Sequence, residues 1–237
     1  GGELRAQLYH QKNRELFGGG SFATFQDPAY GPNVFDQSQN VSTKDGARLS
    51  WARRGLLDDK LTLLAGADGY RDTTFQELTH TRRHWVPDST YTGWAPFLQA
   101  EYWPLESLSL SGGLRHEHGT LEVPTFQTLA AYNGVTVQGG STSFSKTLPN
   151  VGAVWYLTGR LNLFASYAEG YTLPDVGRVL RAINQPGQNV ADFLDLKPVV
   201  SDNREAGAEF AGDRVGARVS YYVSRSRLGS VLVFDAP

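Results

Sequence analysis

Apolar and polar positions alternate with period two along much of the chain, in segments longer than the five or six residues usual for a soluble strand. Leu108, Leu110, Gly112 and Leu114 share one face, while Ser107, Ser109, Ser111, Gly113, Arg115 and Glu117 share the other. Leu161, Leu163, Ala165 and Tyr167 oppose Arg160, Asn162, Phe164 and Ser166 in the same way. The clearest case sets Val215, Ala217, Val219, Tyr221 and Val223 against Arg214, Gly216, Arg218, Ser220, Tyr222 and Ser224. That stretch is rich in β-branched and aromatic residues and free of Pro, as a strand requires. Similar alternation near residues 3–8, 47–51, 60–68, 98–102, 150–155 and 203–210 brings the expected total to about nine strands. Leu64 and Phe164 depart from the rule by falling on the polar face. Arg53 departs by continuing the apolar register of Trp51, where an Arg near a strand end can snorkel to an interface.

The connections alternate too. Tight turns are expected at Leu57-Asp58-Asp59, Pro104-Leu105-Glu106, Leu157-Thr158-Gly159 and Ala211-Gly212-Asp213, and between them lie long polar stretches at about 17–45, 72–93, 119–144 and 171–201. In an up-and-down antiparallel sheet this puts every short turn on one rim and every long loop on the other, as in outer-membrane barrels. Tyr102 and Trp103 precede one tight turn and Trp155 and Tyr156 another, where an interfacial aromatic girdle belongs. The competing architecture is a soluble all-β sandwich, for instance a carbohydrate-binding module, with one face of each sheet buried. Strand length near the 9–11 residues of a bilayer crossing and the asymmetry of the rims favour the membrane barrel.

Composition narrows the choice further. No run of about 18 apolar residues occurs among the 237, so only strands are available to cross a membrane. The start, Gly1-Gly2-Glu3-Leu4-Arg5, has neither an initiator Met nor a leader pattern, and the chain is expected to be mature, truncated or both. The absence of Cys removes disulfides, thiolate metal sites and cysteine nucleophiles. A net charge of −2 offers no basic footprint for nucleic acid. Positive charge is carried mostly by Arg, the better bidentate partner for carboxylate-like oxygens.

Two stretches resemble a known family. Leu148-Pro149-Asn150-Val151-Gly152, running through a turn into Leu163-Phe164-Ala165-Ser166-Tyr167-Ala168-Glu169-Gly170-Tyr171 and then Pro174, is similar to a strand pair of the TonB-dependent receptors for ferric siderophores. Leu196-Lys197-Pro198 followed by Asn203, Glu205, Gly207 and Glu209 looks like the descending strand after it. Phe97-Leu98-Gln99-Ala100-Glu101 and Leu108 to Arg115 fit the preceding hairpin, so the resemblance covers roughly residues 92–226. It implies an antiparallel up-and-down transmembrane β-barrel of about 22 strands in a bacterial outer membrane, closed around a plug that binds the chelate and contacts TonB. Residues 1–237 are then one part of that barrel domain, its middle to later strands, with the plug and the closing strands expected to be missing. The implied function is uptake of a ferric siderophore without catalysis or a resident cofactor. A receptor of the same family for a vitamin, sugar or other metal stays open.

Aromatic rings suit the apolar shell of a chelate, and guanidinium groups suit its anionic oxygens. Arg82, Arg83 and Trp85 in one loop and Tyr171, Arg178 and Arg181 in another are therefore the expected ligand-binding set, with Tyr30, Phe35, Phe126 and Tyr132 in support. His116-Glu117-His118 places two imidazoles on one side of a strand but falls short of the three or four ligands of a metal site. Glu117 and Glu122 raise the possibility of paired carboxylates, without an accompanying cleft. Gly18-Gly19-Gly20 lacks the Lys-Ser/Thr of a phosphate loop, and residues 177–182 are expected to form a short helical turn. No nucleophile sits near a base, which leaves a membrane-barrel hydrolase without a visible triad.

Overall fold

The computed structural model describes residues 1–172, 176–181, 183–190 and 199–226. Pro174 and Leu196-Lys197-Pro198 lie outside the described residues. Strands β1 (Gly2–Gly20), β2 (Asp36–Leu56), β3 (Leu61–Leu78), β4 (His84–Leu105) and β5 (Leu108–Val123) come first. A small pair, β6 (Phe126–Gln127) and β7 (Thr136–Val137), interrupts the loop that follows. Then come β8 (Gly140–Thr158), β9 (Leu161–Thr172), helix α1 (Val176–Arg181), β10 (Val199–Ala211) and β11 (Gly216–Ser226). β6 and β7 aside, the strands form one nine-stranded sheet in which each pairs antiparallel with its neighbours in chain order. This is the up-and-down wall of a transmembrane barrel, and among the described residues β1 and β11 are its edges, so the barrel is not closed within this chain.

Register turns the period-two pattern into two continuous faces. Leu61, Tyr102, Leu110, Ala153, Ala165, Ala206 and Tyr221 lie opposite one another from β3 to β11. A second row runs Leu4, Trp51, Ala65, Leu98, Leu114 and Pro149. Slipping any strand by one residue would turn its apolar set to the wrong side. These side chains are not a core: Leu4 is 67% exposed, Leu98 53% and Val219 75%. A sandwich would bury this face, and a contiguous apolar surface of such extent is not left to water. It faces lipid. On β4 the outward Trp94 and Tyr102 are eight steps apart, about 26 Å along the strand and about 20 Å across a bilayer at a 40° tilt, close to the height of an outer-membrane apolar band.

The girdle differs from the sequence expectation in one respect. Tyr102 and Trp155 do sit on the outer face, but Trp103 and Tyr156 stack on each other at the inner side, with ring centroids 5.7 Å apart. Trp103 Nε1 there donates to Glu101 at 3.0 Å. Adjacent residues of a strand point to opposite faces, so a pair of neighbouring aromatics gives the girdle only one member.

The short turns, at 57–60, 106–107, 159–160 and 212–215, share one rim, and the long connections share the other. The long ones are shorter than the polar stretches suggest. Between β3 and β4 only residues 79–83 leave the ladder, and the loops after β1 and β5 span 21–35 and 124–139. The strands simply continue beyond the bilayer, where neither face needs to be apolar and the alternation fades. Buried cores sit at this rim. One joins Val86, Leu121, Val123 and Val137 to Leu180, Ile183 and Val190, and the other comprises Phe25, Leu78 and Leu129 with Trp85 and Tyr132 packed against it.

Candidate functional site

The polar face of the wall carries three layers, from mid-barrel to mouth. In the first, Asp68 Oδ2 accepts from Arg48 Nη2 at 2.9 Å and from Arg115 Nη1 at 2.6 Å, and Arg115 Nε pairs with the buried Glu117. Two guanidinium groups thus meet two carboxylates, and the chain of charges is internally neutral. Phe164, an exception to the alternation, is accommodated on this face because Gly207 opposite it leaves room: a Cβ there would lie 2.7 Å from the ring. The Arg218 guanidinium lies over that ring at 4.5 Å.

Above the ion pairs lies an aromatic layer. Tyr70 and Tyr91 have centroids 5.4 Å apart, Tyr91 stacks on Phe144 at 5.7 Å, and Phe144 reaches Tyr171 at 6.1 Å. The hydroxyls of Tyr91 and Tyr171 approach to 3.4 Å. Tyr91 lies so close over Gly119 that a Cβ at this position would fall 2.0 Å from the phenol oxygen. Glycine is therefore needed for the ring to lie flat on the wall, a device that also protects the glycine backbone.

The top layer is formed by residues 176–181 and 183–190, the described part of the connection between β9 and β10. Leu180, Ile183 and Val190 sink into the apolar cluster on β4, β5 and β7 and hold this segment against the inner wall. Asn133 Nδ2 donates to the Asn184 carbonyl at 3.0 Å, and the Val190 amide to the Gln138 carbonyl at 2.9 Å. The anchored helix α1 occurs where residues 177–182 were expected to turn, and it sets Arg181 over the Trp85 ring at 5.2 Å. Arg181 Nη1 donates to Gln76 Oε1 at 3.2 Å. Beneath them is a cavity of about 660 Å³ lined by Asn13, Ser38, Asn40, Thr74 and Gln76 along with Trp85 and Arg181. This volume is within the range of small-molecule sites. The Trp85 Nε1 atom is buried and has no hydrogen-bond partner.

Of the residues singled out from sequence, Trp85 and Arg181 thus meet at one cavity, and Tyr171 belongs to the aromatic layer below. The side chain of Arg178 lies outside the described residues. Arg83 is nearly buried and its donors are used within the fold: Nε to Thr81 at 2.9 Å, Nη1 to Asp27 at 3.2 Å and Nη2 to the Phe25 carbonyl at 2.6 Å. Tyr30 packs on its guanidinium at 4.8 Å. Arg82 projects into solvent and bonds Glu77 at 3.0 Å. Phe126 joins the first apolar cluster, Tyr132 the second, and the exposed Phe35 meets the His80 ring at 6.1 Å.

The polar cavity residues Asn13, Ser38, Asn40, Thr74 and Gln76 were not singled out. Their signal is parity: 38 and 40 continue the inward register of Arg48 on β2, and 74 and 76 that of Asp68 on β3. His116 and His118 bond Thr147 at 2.9 Å and Ser145 at 2.7 Å, on the lipid side beside Trp94. Among the described residues no group of three or more His, Cys, Asp or Glu is placed to hold a metal ion. Glu117 and Glu122, an odd number of positions apart on β5, point to opposite faces and form no carboxylate pair.

At the mouth, outside the bilayer, Asp36 organises the tip between β3 and β4. Fully buried, it accepts from the amides of Gln37 at 2.8 Å, His80 at 2.9 Å and Thr81 at 3.2 Å and from the Thr81 hydroxyl at 2.5 Å. Burial pushes its pKa upward, but these donors together outweigh burial and hold the carboxyl below the ordinary aspartate value.

Comparison with known proteins follows the same lines. The family model for the TonB dependent receptor-like β-barrel matches residues 2–235. The ferric aerobactin receptor of Klebsiella pneumoniae is 24% identical over 212 residues, which are 79% of this chain and 28% of that protein. The rhizobactin receptor of Rhizobium meliloti (strain 1021) is 31% identical over 90 residues, 34% of this chain and 12% of that one. Among solved structures, the copper transporter OprC superposes with a TM-score of 0.69 at 19% identity, covering 93% of this chain and 35% of its own. The chain therefore spans under a third of the length of these two curated relatives, both named as receptors. The chain belongs to the TonB-dependent receptor β-barrel family, and is part of a bacterial outer-membrane barrel.

Proposed function

We propose that this wall belongs to a receptor that takes up a ferric siderophore across the outer membrane in a TonB-dependent manner, with the cavity under Trp85 and Arg181 as part of its ligand site. The observation that carries the reading is the meeting of an aromatic ring, a guanidinium and a set of amides and hydroxyls around one ligand-sized cavity at the barrel mouth. Rings cover a chelate's apolar shell, and guanidinium and amide groups pair with its oxygens. The names of the aerobactin and rhizobactin receptors support a chelate as cargo. A bare copper ion fits this cavity less well, because its lining offers no thiol, thioether or imidazole, the groups that soft metals select.

The test is growth of the source bacterium under iron starvation with single ferric siderophores as the iron supply. Deleting the gene should abolish use of one of them, and dissipating the inner-membrane proton gradient should stop its uptake while leaving surface binding intact. Unchanged growth on every iron source, together with loss of another nutrient's uptake, would reject iron as the cargo.

A further inference from the structure

On the lipid side, the row Leu8, Ala47, Gly69 and Trp94 crosses β1 to β4 at the upper end of the apolar ladder, and the next row toward the mouth is His10, Asp45, Arg71 and Thr92. Above it on β1 come Lys12 and Arg14, which share the parity of Leu4 and Leu8 and so point outward. Register gathers these three long cations around one residue. Thr43 lies directly opposite Lys12, while Arg14, opposite Val41, and Arg71, opposite Asp45, are its diagonal neighbours on the two flanking strands. Such diagonals span about 7–8 Å between Cα atoms, within reach of Lys and Arg side chains. All three cations are exposed. At this height the outward face of β1 to β3 carries one acid among the described residues, Asp45, whose carboxylate is bonded to His10 at 2.7 Å.

We infer that Lys12, Arg14 and Arg71 form a site for the phosphate group of an outer-leaflet lipid, with the Thr43 hydroxyl between them. The location selects a lipid over a soluble anion. Directly below the cations the same strands expose Leu4, Leu8, Leu49 and Trp51, so acyl chains lying on this ladder bring their headgroup phosphates to the height of Arg71 and Lys12. Guanidinium groups bind phosphate oxygens in pairs, and Lys adds a compact charge. Each cation close to an anionic membrane surface strengthens binding about fivefold, and salt weakens the effect. The site stands on the opposite face of the wall from the cavity lined by Asn13, Asn40 and Gln76, and does not depend on which cargo that cavity takes.

The experiment is native mass spectrometry of the complete receptor in detergent, titrated with bisphosphorylated lipid A, with the same lipid after removal of both phosphates, and with inorganic phosphate. The phosphorylated lipid should bind, and Arg71→Gln should weaken that binding about fivefold. The triple variant Lys12→Gln, Arg14→Gln and Arg71→Gln should weaken it at least ~30-fold. Lys60→Gln, Arg160→Gln and Arg214→Gln together remove the same charge at the short-turn rim, more than a Debye length away, and should leave binding within about twofold. Equal binding of the dephosphorylated lipid would overturn the inference, because the apolar ladder alone would then suffice. Equal losses in the two triple variants would overturn it too, since the placement of the charge would not matter. Displacement of the lipid by an equimolar amount of inorganic phosphate would make this a site for the free anion instead. Arg71 is exposed and lies between two paired strands, so its single variant decides the question where the triple variant fails to fold, and unchanged binding by folded Arg71→Gln receptor would reject the site.

Discussion

Between the short-turn rim and Trp94 the strands show lipid a ladder of Leu, Ala, Val and aromatic side chains and carry paired charges on the other face; beyond Trp94 the outward apolar ladder stops, aromatic rings line the inner face, and further apolar residues gather in two small cores. The lower region is held by strand pairing and by the solvent it sits in. The upper region is held by side chains that come from distant loops, such as Ile183 against Val137 or Phe25 against Leu78. One sheet therefore contains two units that fail for different reasons, and the upper one can open locally while the lower remains intact.

The sharpest way to break the comparison is a charge on the outward face. Leu98→Arg, in the apolar row between Leu114 and Ala65, should cost about 2–4 kcal/mol near the bilayer midplane. Ser141→Arg, on the upper wall opposite Glu122, should change stability by no more than about 0.5 kcal/mol. Urea unfolding of the complete receptor refolded into lipid vesicles measures both. Equal effects at the two sites would show that the band does not end near Trp94.

Next in size is the loss of the Asp36 network. Asp36→Ala leaves the His80 and Thr81 amides without their acceptor and should cost about 1–3 kcal/mol, felt at the β3–β4 tip and not in the bilayer. Hydrogen exchange should show faster amides at 79–83 and unchanged ones at 61–68. The pH dependence has a definite sign. The folded carboxyl titrates below the unfolded one, so its contribution is complete above about pH 4 and is lost as pH falls through the folded value. In the natural chain the tip should therefore loosen in acid below about pH 4, and in the Ala variant this dependence should vanish.

The two regions were also unequally legible. In the lower one, Leu108 to Arg115 and Ala217 to Ser224 alternate because one side meets lipid and the other the barrel interior, and the observed strands follow that pattern. In the upper one, residues 72–93 read as a loop although all but five of them belong to β3 and β4, because there both faces of a strand meet water or protein. Trp85 and Arg181 stood out by residue type, and nothing in their local sequence shows that 95 positions of intervening chain return them to one cavity. Asn40 and Gln76 went unnoticed for the opposite reason, as ordinary polar residues whose meaning lies in their inward parity on a strand that continues past the membrane.

A milder change sharpens the claim that the roof of the cavity is a packed unit. Ile183→Val removes one methylene from a nearly inaccessible site and should cost about 0.5–1.5 kcal/mol. The Val190 amide, bonded to the Gln138 carbonyl, should then exchange about two- to tenfold faster. Amides of β10, such as that of Ala206, should not respond. A matching acceleration there would mean that the roof and the wall open together.

The smallest effect is expected at the short-turn rim. Arg160 Nη2 reaches Asp213 at 2.7 Å, a distance that by itself suggests a strong tie between neighbouring turns. Both side chains are largely exposed, however, at 57% and 81%, and water and salt screen such a pair. Alanine at either position, and at both in a double-mutant cycle, should give a coupling below about 0.5 kcal/mol. The turns are already fixed by backbone: the Ala211 amide bonds the Arg160 carbonyl at 2.8 Å and the Gly212 amide the Val215 carbonyl at 2.9 Å. A coupling well above that bound would mean that this rim, like the mouth, depends on its side chains, and the contrast between the two ends of the wall would disappear.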